Sequence, residues 1–402
     1  MDMMTLQHHP ETGWSAPLPV ALDGPRTLVL VFSPRSAVLA PTALGALTGL
    51  EQAFPVSVRV GCSSAGEIAG AQIHDQSLSV AVLRFEHTLL SCATTLLADA
   101  ADSEPAGARL AAQLCAGPPT LRAVLLFACG VDINGSALLR GLIGGLPEGV
   151  LISGGMAGDD VHYEQTWVMV GPQRLERGVV AVGLHGSALQ IGNGCAGGWQ
   201  EFGPERLVTR SDGVLLHTLD NQPAAALYRH YLGDLAANLP ASALRVPLSV
   251  RSVRGSGRPL VRSVMDLDDE AHTLTFGGEV LEGDVVKLMR TSTDRLVGAA
   301  EDAVRQALAA HARDAEPLTP EGTPAPVLAL SVSCMGRRLM LGDRTEEEVE
   351  AVVEQLPPGS AHLGFYSYGE VAPLAMHEPA EFHNQTMTVT VLSERALAGP
   401  AA

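Results

Sequence analysis

Three short segments concentrate the residues suited to handling a small polar ligand. GCSSAGEI at 61–68 sets Cys62, Ser63 and Ser64 beside Glu67, SGGMAGDD at 153–160 carries Asp159, and GFYSYGEV at 364–371 carries Tyr366, Tyr368 and Glu370. Glycine permits tight turns and close backbone approach, hydroxyls donate and accept, and an acid can hold an ammonium or a donor. A nucleophilic Cys62 or Ser64 would need a general base within reach. His74 is the closest in sequence, and no His-plus-acid arrangement is readable nearby. Tyr366 and Tyr368, two apart, share a face if extended, either lining a pocket wall or packing in the core with tethered hydroxyls. Arg337, at a strand end, could fork onto a carboxylate or pair with Glu67, Asp159 or Glu370. Asn384 and Thr386 flank Gln385 and either complete the pocket or cap a strand. If the ligand is an amino acid, Arg337 would take its carboxylate and Glu67 or Glu370 its ammonium.

These segments recur in a common order. An apolar strand at 27–32, a helix at 42–54 and a strand at 56–60 lead into the first. A strand at 123–129, a helix at 134–146 and a strand at 150–152 lead into the second. A strand at 327–334 and a helix opened by Thr345, with Glu348 three residues on as a capping box, lead into the third. Each is followed by Gln and a hydroxyl residue heading an alternating strand: QSLSV from Gln76, QTWVM from Gln165 and QTMTV from Gln385. The recurrence fits either a ligand site or a duplicated scaffold. Further strand-helix-strand passages lie at 89–121 and 284–327, a loop or linker at 313–326, and an antiparallel meander at 246–281. The expected fold is α/β to α+β, two lobes of repeated strand-helix-strand units with a meander in the second.

Composition sets the bounds. The 402 residues are 46% hydrophobic with 4% aromatic, enough for two sizeable cores. A formal charge of −18 disfavours nucleic acid and anionic membrane. No apolar run reaches the roughly 18–20 residues of a membrane helix, so neither membrane insertion nor export is expected and the protein is placed in the cytoplasm. The six cysteines contain no C-x-x-C pair, so no disulfide framework or structural zinc site is signalled.

The motifs resemble those of the FIST family of sensory proteins. GCSSAGEI and GGMAGDD resemble the N domain, while LDNQPAAALYRHYLG from Leu219, SCMGR from Ser333, GFYSYGEVAP from Gly364 and FHNQT from Phe382 resemble the C domain. The resemblance implies an N-terminal extension at 1–24, a FIST N-like domain at 25–214, a FIST C-like domain at 215–393 and a tail at 394–402. It implies a non-enzymatic intracellular sensor of small molecules such as amino acids. With no room for an output domain, it would signal to a separate protein such as a histidine kinase, chemotaxis or cyclic-dinucleotide protein. No cofactor is expected. Some family members bind haem and sense nitric oxide, and in that alternative His217 or His230 would be the axial ligand.

Overall fold

Strands that are apolar at every position must be covered on both faces, and Leu28, Val29, Leu30, Val31 and Phe32 are all buried. In the computed structural model, which describes residues 1–38, 41–239, 241–252, 257–313, 325–375 and 377–395, this covering is achieved by three sheets around one core with helices outside. Most of the linker expected at 313–326, and residues 396–402 of the expected tail, lie outside the described residues.

The chain opens with strands β1 (Asp2–His9), β2 (Gly13–Trp14) and β3 (Thr27–Pro34), helix α1 (Pro41–Ala53) and strand β4 (Val58–Ser64). The hairpin β5 (Glu67–Ala69) and β6 (Gln72–His74) then leads to β7 (Leu78–Arg84). The second passage runs β8 (Leu89–Leu96), α2 (Ser103–Cys115), β9 (Leu121–Ala128), α3 (Gly135–Gly145) and β10 (Leu151–Met156). The hairpin β11 (Val168–Val170) and β12 (Gln173–Leu175) and then β13 (Gly178–His185) complete it. The third starts at β14 (Leu189–Ala196) and is interrupted. Between it and α5 (Thr293–Arg313) stand β15 (Gln200–Asp212), β16 (Leu215–Leu219), β17 (Gln222–Pro223), α4 (Ala224–Leu232), β18 (Leu248–Arg251), β19 (Pro259–Arg262), β20 (Val264–Asp268), β21 (Thr273–Phe276) and β22 (Val285–Arg290). After α5 come β23 (Leu328–Cys334), α6 (Met335–Leu341), α7 (Thr345–Val353) and β24 (Ala361–Ser367). The hairpin β25 (Gly369–Pro373) and β26 (Ala380–His383) and finally β27 (Met387–Glu394) close the chain.

Each passage builds four neighbouring strands, β4-β3-β7-β1, β10-β9-β13-β8 and β14-β27-β23-β24, in which β3/β4, β9/β10 and β23/β24 are parallel. The hairpins leave their own sheets. β5–β6 extend the third sheet through β24, β11–β12 extend the first through β4, and β25–β26 extend the second through β10. The exchange is cyclic, and it covers one edge of every sheet. Alternate residues of β3, β9 and β23 face the shared core, where the rings of Phe32, Phe127 and Phe365 lie 4.5–6.1 Å apart. The other faces pack on α1, on α2 and α3, and on α5 and α7. The interruption forms a fourth, antiparallel sheet, β19-β18-β22-β15-β16-β21-β20, with its own core against α4. The sequence-expected meander lies within it.

Two local expectations change. GCSS, SGGM and GFYS are strand, because each continues a parallel pairing. A Cβ on Gly61, Gly154 or Gly364 would lie 1.8, 1.9 or 2.1 Å from the backbone oxygen of Val31, Leu126 or Ser331. These glycines therefore serve strand packing, and the turns proper begin only after Ser64, Met156 and Ser367. The capping box at α7 does not form: Thr345 is already helical and its hydroxyl donates to Gly342 O, while Glu348 is buried with its carboxylate on Arg337. α3 is capped as its sequence suggests, Asn134 Oδ1 accepting from Ala137 N at 3.0 Å.

Candidate functional site

The cyclic exchange brings the three turns together at the carboxyl ends of β4, β10 and β24. Gly158 N donates to Ser63 O at 3.0 Å, Ala65 N to Tyr366 O at 2.9 Å, Tyr366 N to Gly66 O at 2.9 Å and Tyr368 N to Met156 O at 3.2 Å. Segments about 300 residues apart in sequence are thus laced by backbone hydrogen bonds.

The recurring acid and Gln-Ser/Thr pairs prove to be two halves of one contact. Glu67 is fully buried and accepts from Ser64 Oγ, from Ser77 N at 3.2 Å and from Ser77 Oγ at 3.3 Å. Glu370 is buried likewise and accepts from Ser367 Oγ at 2.8 Å, Thr386 N at 3.0 Å and Thr386 Oγ1 at 2.8 Å. The preceding residues, Gln76 and Gln385, both hold a φ of 61°, a left-handed turn that delivers the hydroxyl to the acid. Burial without a cation at either carboxylate favours the neutral form, raising Glu67 to about 8 and Glu370 to about 7 despite the hydrogen bonds. The second passage is wired differently. Asp159 accepts from the backbone of Tyr163 (2.8 Å), Glu164 (2.9 Å) and Gln165 (2.8 Å), from the phenol of Tyr368 and, at 3.5 Å, from Arg35 Nη1.

Of the ligand-binding candidates named from sequence, Ser64, Glu67 and Asp159 line the cleft beside these turns, a cavity of about 510 Å³ also bordered by Arg35, Asp75, Asp160, His162 and the motif residue Gln76. An adjoining cavity of about 500 Å³ shares Asp75 and Asp160 and adds Arg338. Cys62 faces the shared core, and burial pushes its thiol well up, away from nucleophilic thiolate. Ser63 Oγ is occupied by Trp167 N at 3.1 Å. Tyr368 is held by Asp159 and stacks on Tyr163 with centroids 4.0 Å apart. Asn384 turns away to the fourth sheet, its Oδ1 3.4 Å from Ser263 N, and Thr386 is committed to Glu370.

Arg337 does not face the cleft, nor does it pair with Glu67, Asp159 or Glu370. It is fully buried, with Nε and Nη2 on Glu348 Oε2 at 3.1 and 2.7 Å and the rest of its guanidinium on Gly197 O and Leu296 O. Glu348 also takes Tyr366 OH at 2.8 Å and Ser333 Oγ at 2.9 Å, so Tyr366 is a core residue. The cleft receives the next residue, Arg338, whose Nη1 donates to Ala65 O at 2.6 Å and whose Nη2 meets Asp75 at 2.8 Å. One step on a helix is about 100°, which sends neighbouring arginines to different surroundings. Arg35, Asp75 and His162 carried no sequence signal beyond lying near the motifs, and Asp160 none beyond ending SGGMAGDD.

His217 is half-buried on β16 and His230 is exposed on α4, and neither borders the cleft. Among the described residues, no group of three or more His, Cys, Asp or Glu side chains is placed to hold a metal ion. No helix of the described residues is long and apolar enough to cross a membrane.

Comparison with known proteins supplies the family. No curated protein matches the chain. Among solved structures it is similar to a cyanuric acid hydrolase from A. caulinodans, at 10% identity over 98% of this chain and 99% of that one, with a TM-score of 0.41. It is similar also to a chorismatase, at 9% identity over 97% and 98%, with a TM-score of 0.35. The FIST N domain model matches residues 27–222 and the FIST C domain model residues 224–373. By both matches together, which span nearly the whole chain, the protein belongs to the FIST family.

Proposed function

We propose that this protein is a sensory binding protein, not an enzyme, that takes a small polar ligand in the cleft where the three turns meet and passes its state to a separate signalling protein. FIST domains are sensory ligand-binding domains. The observation that carries the reading is the cleft itself, in which Asp75 and Asp160 stand beside Arg338 and Arg35. Such a set matches a ligand with a cationic group and a neighbouring anionic one, which favours an amino acid, with Arg338 in the role that sequence gave to Arg337. A binding role is further supported by Ser64, whose hydroxyl is spent on a buried carboxyl that, among the described residues, is hydrogen-bonded to no histidine, and by Cys62, sealed in the core.

The test is calorimetric titration of the folded protein with the twenty common amino acids, alongside native mass spectrometry of protein purified from its host. A bound amino acid whose Kd rises at least tenfold in Arg338→Ala and in Asp75→Asn supports the reading. A folded protein that binds none of them and carries no co-purifying small molecule overturns it.

A further inference from the structure

A second cavity, of about 480 Å³, lies between α3, β26 and the fourth sheet, remote from the cleft in its lining residues. Leu139 and Ile143 of α3, Leu260, Leu281 and Phe382 give it apolar walls. Three arginines border it, and they differ in how they are matched. Arg140 is bridged to Glu279 at 2.8 Å and to Glu104 at 2.9 Å, and Arg258 reaches Glu378 at 3.3 Å. Arg262, at the end of β19, is 4% exposed and forms no ion pair among the described residues. Its Nε donates to Glu279 O at 3.1 Å and its Nη1 to Phe382 O at 2.7 Å and Val261 O at 3.4 Å. Nη2, with two N–H groups, has no hydrogen-bond partner among the described residues, and it is not among the buried nitrogens sealed from solvent.

A guanidinium this deep is ordinarily matched by a carboxylate, because backbone carbonyls satisfy donors without cancelling the charge. Burial lowers Arg262 to about 10 against the opposing charges of Glu381, Glu279 and Asp284, none of which comes within ion-pair distance of it. We propose that this cavity is a binding site for an organic monocarboxylate with an apolar body, its carboxylate on Arg262 Nη2 and its body against the walls of α3 and Phe382. Glu279, Glu381 and Asp284 also border the cavity and balance its three arginines, so that a second carboxylate on the ligand would meet acids without a further cation to receive it, which selects against dicarboxylates. Because the walls come from both the three-sheet body and the fourth sheet, occupancy ties the two together.

Calorimetry on the full chain near pH 7 with benzoate, hexanoate and 4-methylpentanoate tests this, with benzamide as the neutral isostere and succinate as the dianion. At least one monocarboxylate is expected to bind, benzamide and succinate at least tenfold more weakly, and Arg262→Met to raise the Kd at least tenfold. Gly144→Trp fills the cavity from α3, where a Cβ meets nothing within 4 Å, and is expected to abolish binding even if Arg262→Met fails to fold. Arg338→Ala is expected to leave it unchanged, which separates this site from the amino acid cleft. Folded protein that binds none of the three acids, binds benzamide as well as benzoate, or loses binding in Arg338→Ala but not in Gly144→Trp, overturns the proposal.

Discussion

At the scale of single residues, the pH behaviour of Glu67 follows from its surroundings. Its folded pKa of about 8 lies above the ordinary carboxylate value because burial penalises the charge more than Ser64 and Ser77 relieve it. Between roughly pH 4.5 and 8 the folded protein therefore holds a proton that the unfolded chain has lost, and stability falls as pH rises through that window. Glu370, at about 7, adds a contribution of the same sign. Glu67→Gln keeps an amide nitrogen for Ser64 Oγ and a carbonyl for Ser77 N. It is expected to flatten the pH dependence and to raise stability at pH 8 by about 1–3 kcal/mol. Urea unfolding at pH 5, 6.5 and 8 checks this, and an unchanged slope would show that Glu67 is charged throughout. The recurrence of Gly-acid and Gln-Ser/Thr was legible in the sequence. That the acid of one motif is the acceptor for the hydroxyl of the other was not, since nine and fifteen residues of intervening chain separate Glu67 from Ser77 and Glu370 from Thr386.

At the scale of elements, α6 and α7 are held to β23 and β24 by one buried group, the Glu348 carboxylate, which receives Arg337, Tyr366 and Ser333. Removing either member leaves the other charge buried and unmatched. Glu348→Met and Arg337→Met are each expected to cost about 3–5 kcal/mol, and Arg337→Met/Glu348→Met clearly less than the sum of its parts. A double-mutant cycle by chemical denaturation measures the difference, and simple additivity would refute the coupling. The elements themselves were largely readable: 103–115 and 135–145 are helical close to where periodicity placed them, and the strands at 27–34 and 328–334 follow their apolar runs. What periodicity could not reveal was the destination of Glu348. A Thr followed three residues later by Glu is a sound local capping signal, yet at α7 the buried arginine competes for the same carboxylate and wins.

At the scale of the whole molecule, sequence order hides the hairpin exchange. A chain read segment by segment divides near 215, between β15 and β16, but those strands pair with each other, and the passages on either side of the fourth sheet complete one another's sheets. The spatial units are the three-sheet body and the inserted fourth sheet with its separate core. Entry and exit of the insert lie side by side, since Gln200 and Arg290 are direct partners in the β15–β22 register. A two-residue Asn-Gly turn can span such a pair. Replacing 201–289 by Asn-Gly is therefore expected to leave a folded body with one cooperative unfolding transition and intact near-ultraviolet circular dichroism. The Arg262 cavity would be lost with the insert. The cleft at Asp75 and Arg338, built entirely from the body, would retain its amino acid affinity within about threefold, because distant and independent sites couple weakly. Aggregation, or loss of the near-ultraviolet signal, would show instead that the body depends on the insert for its fold. A folded body with a much weakened cleft would show that the fourth sheet is coupled to the sensing site.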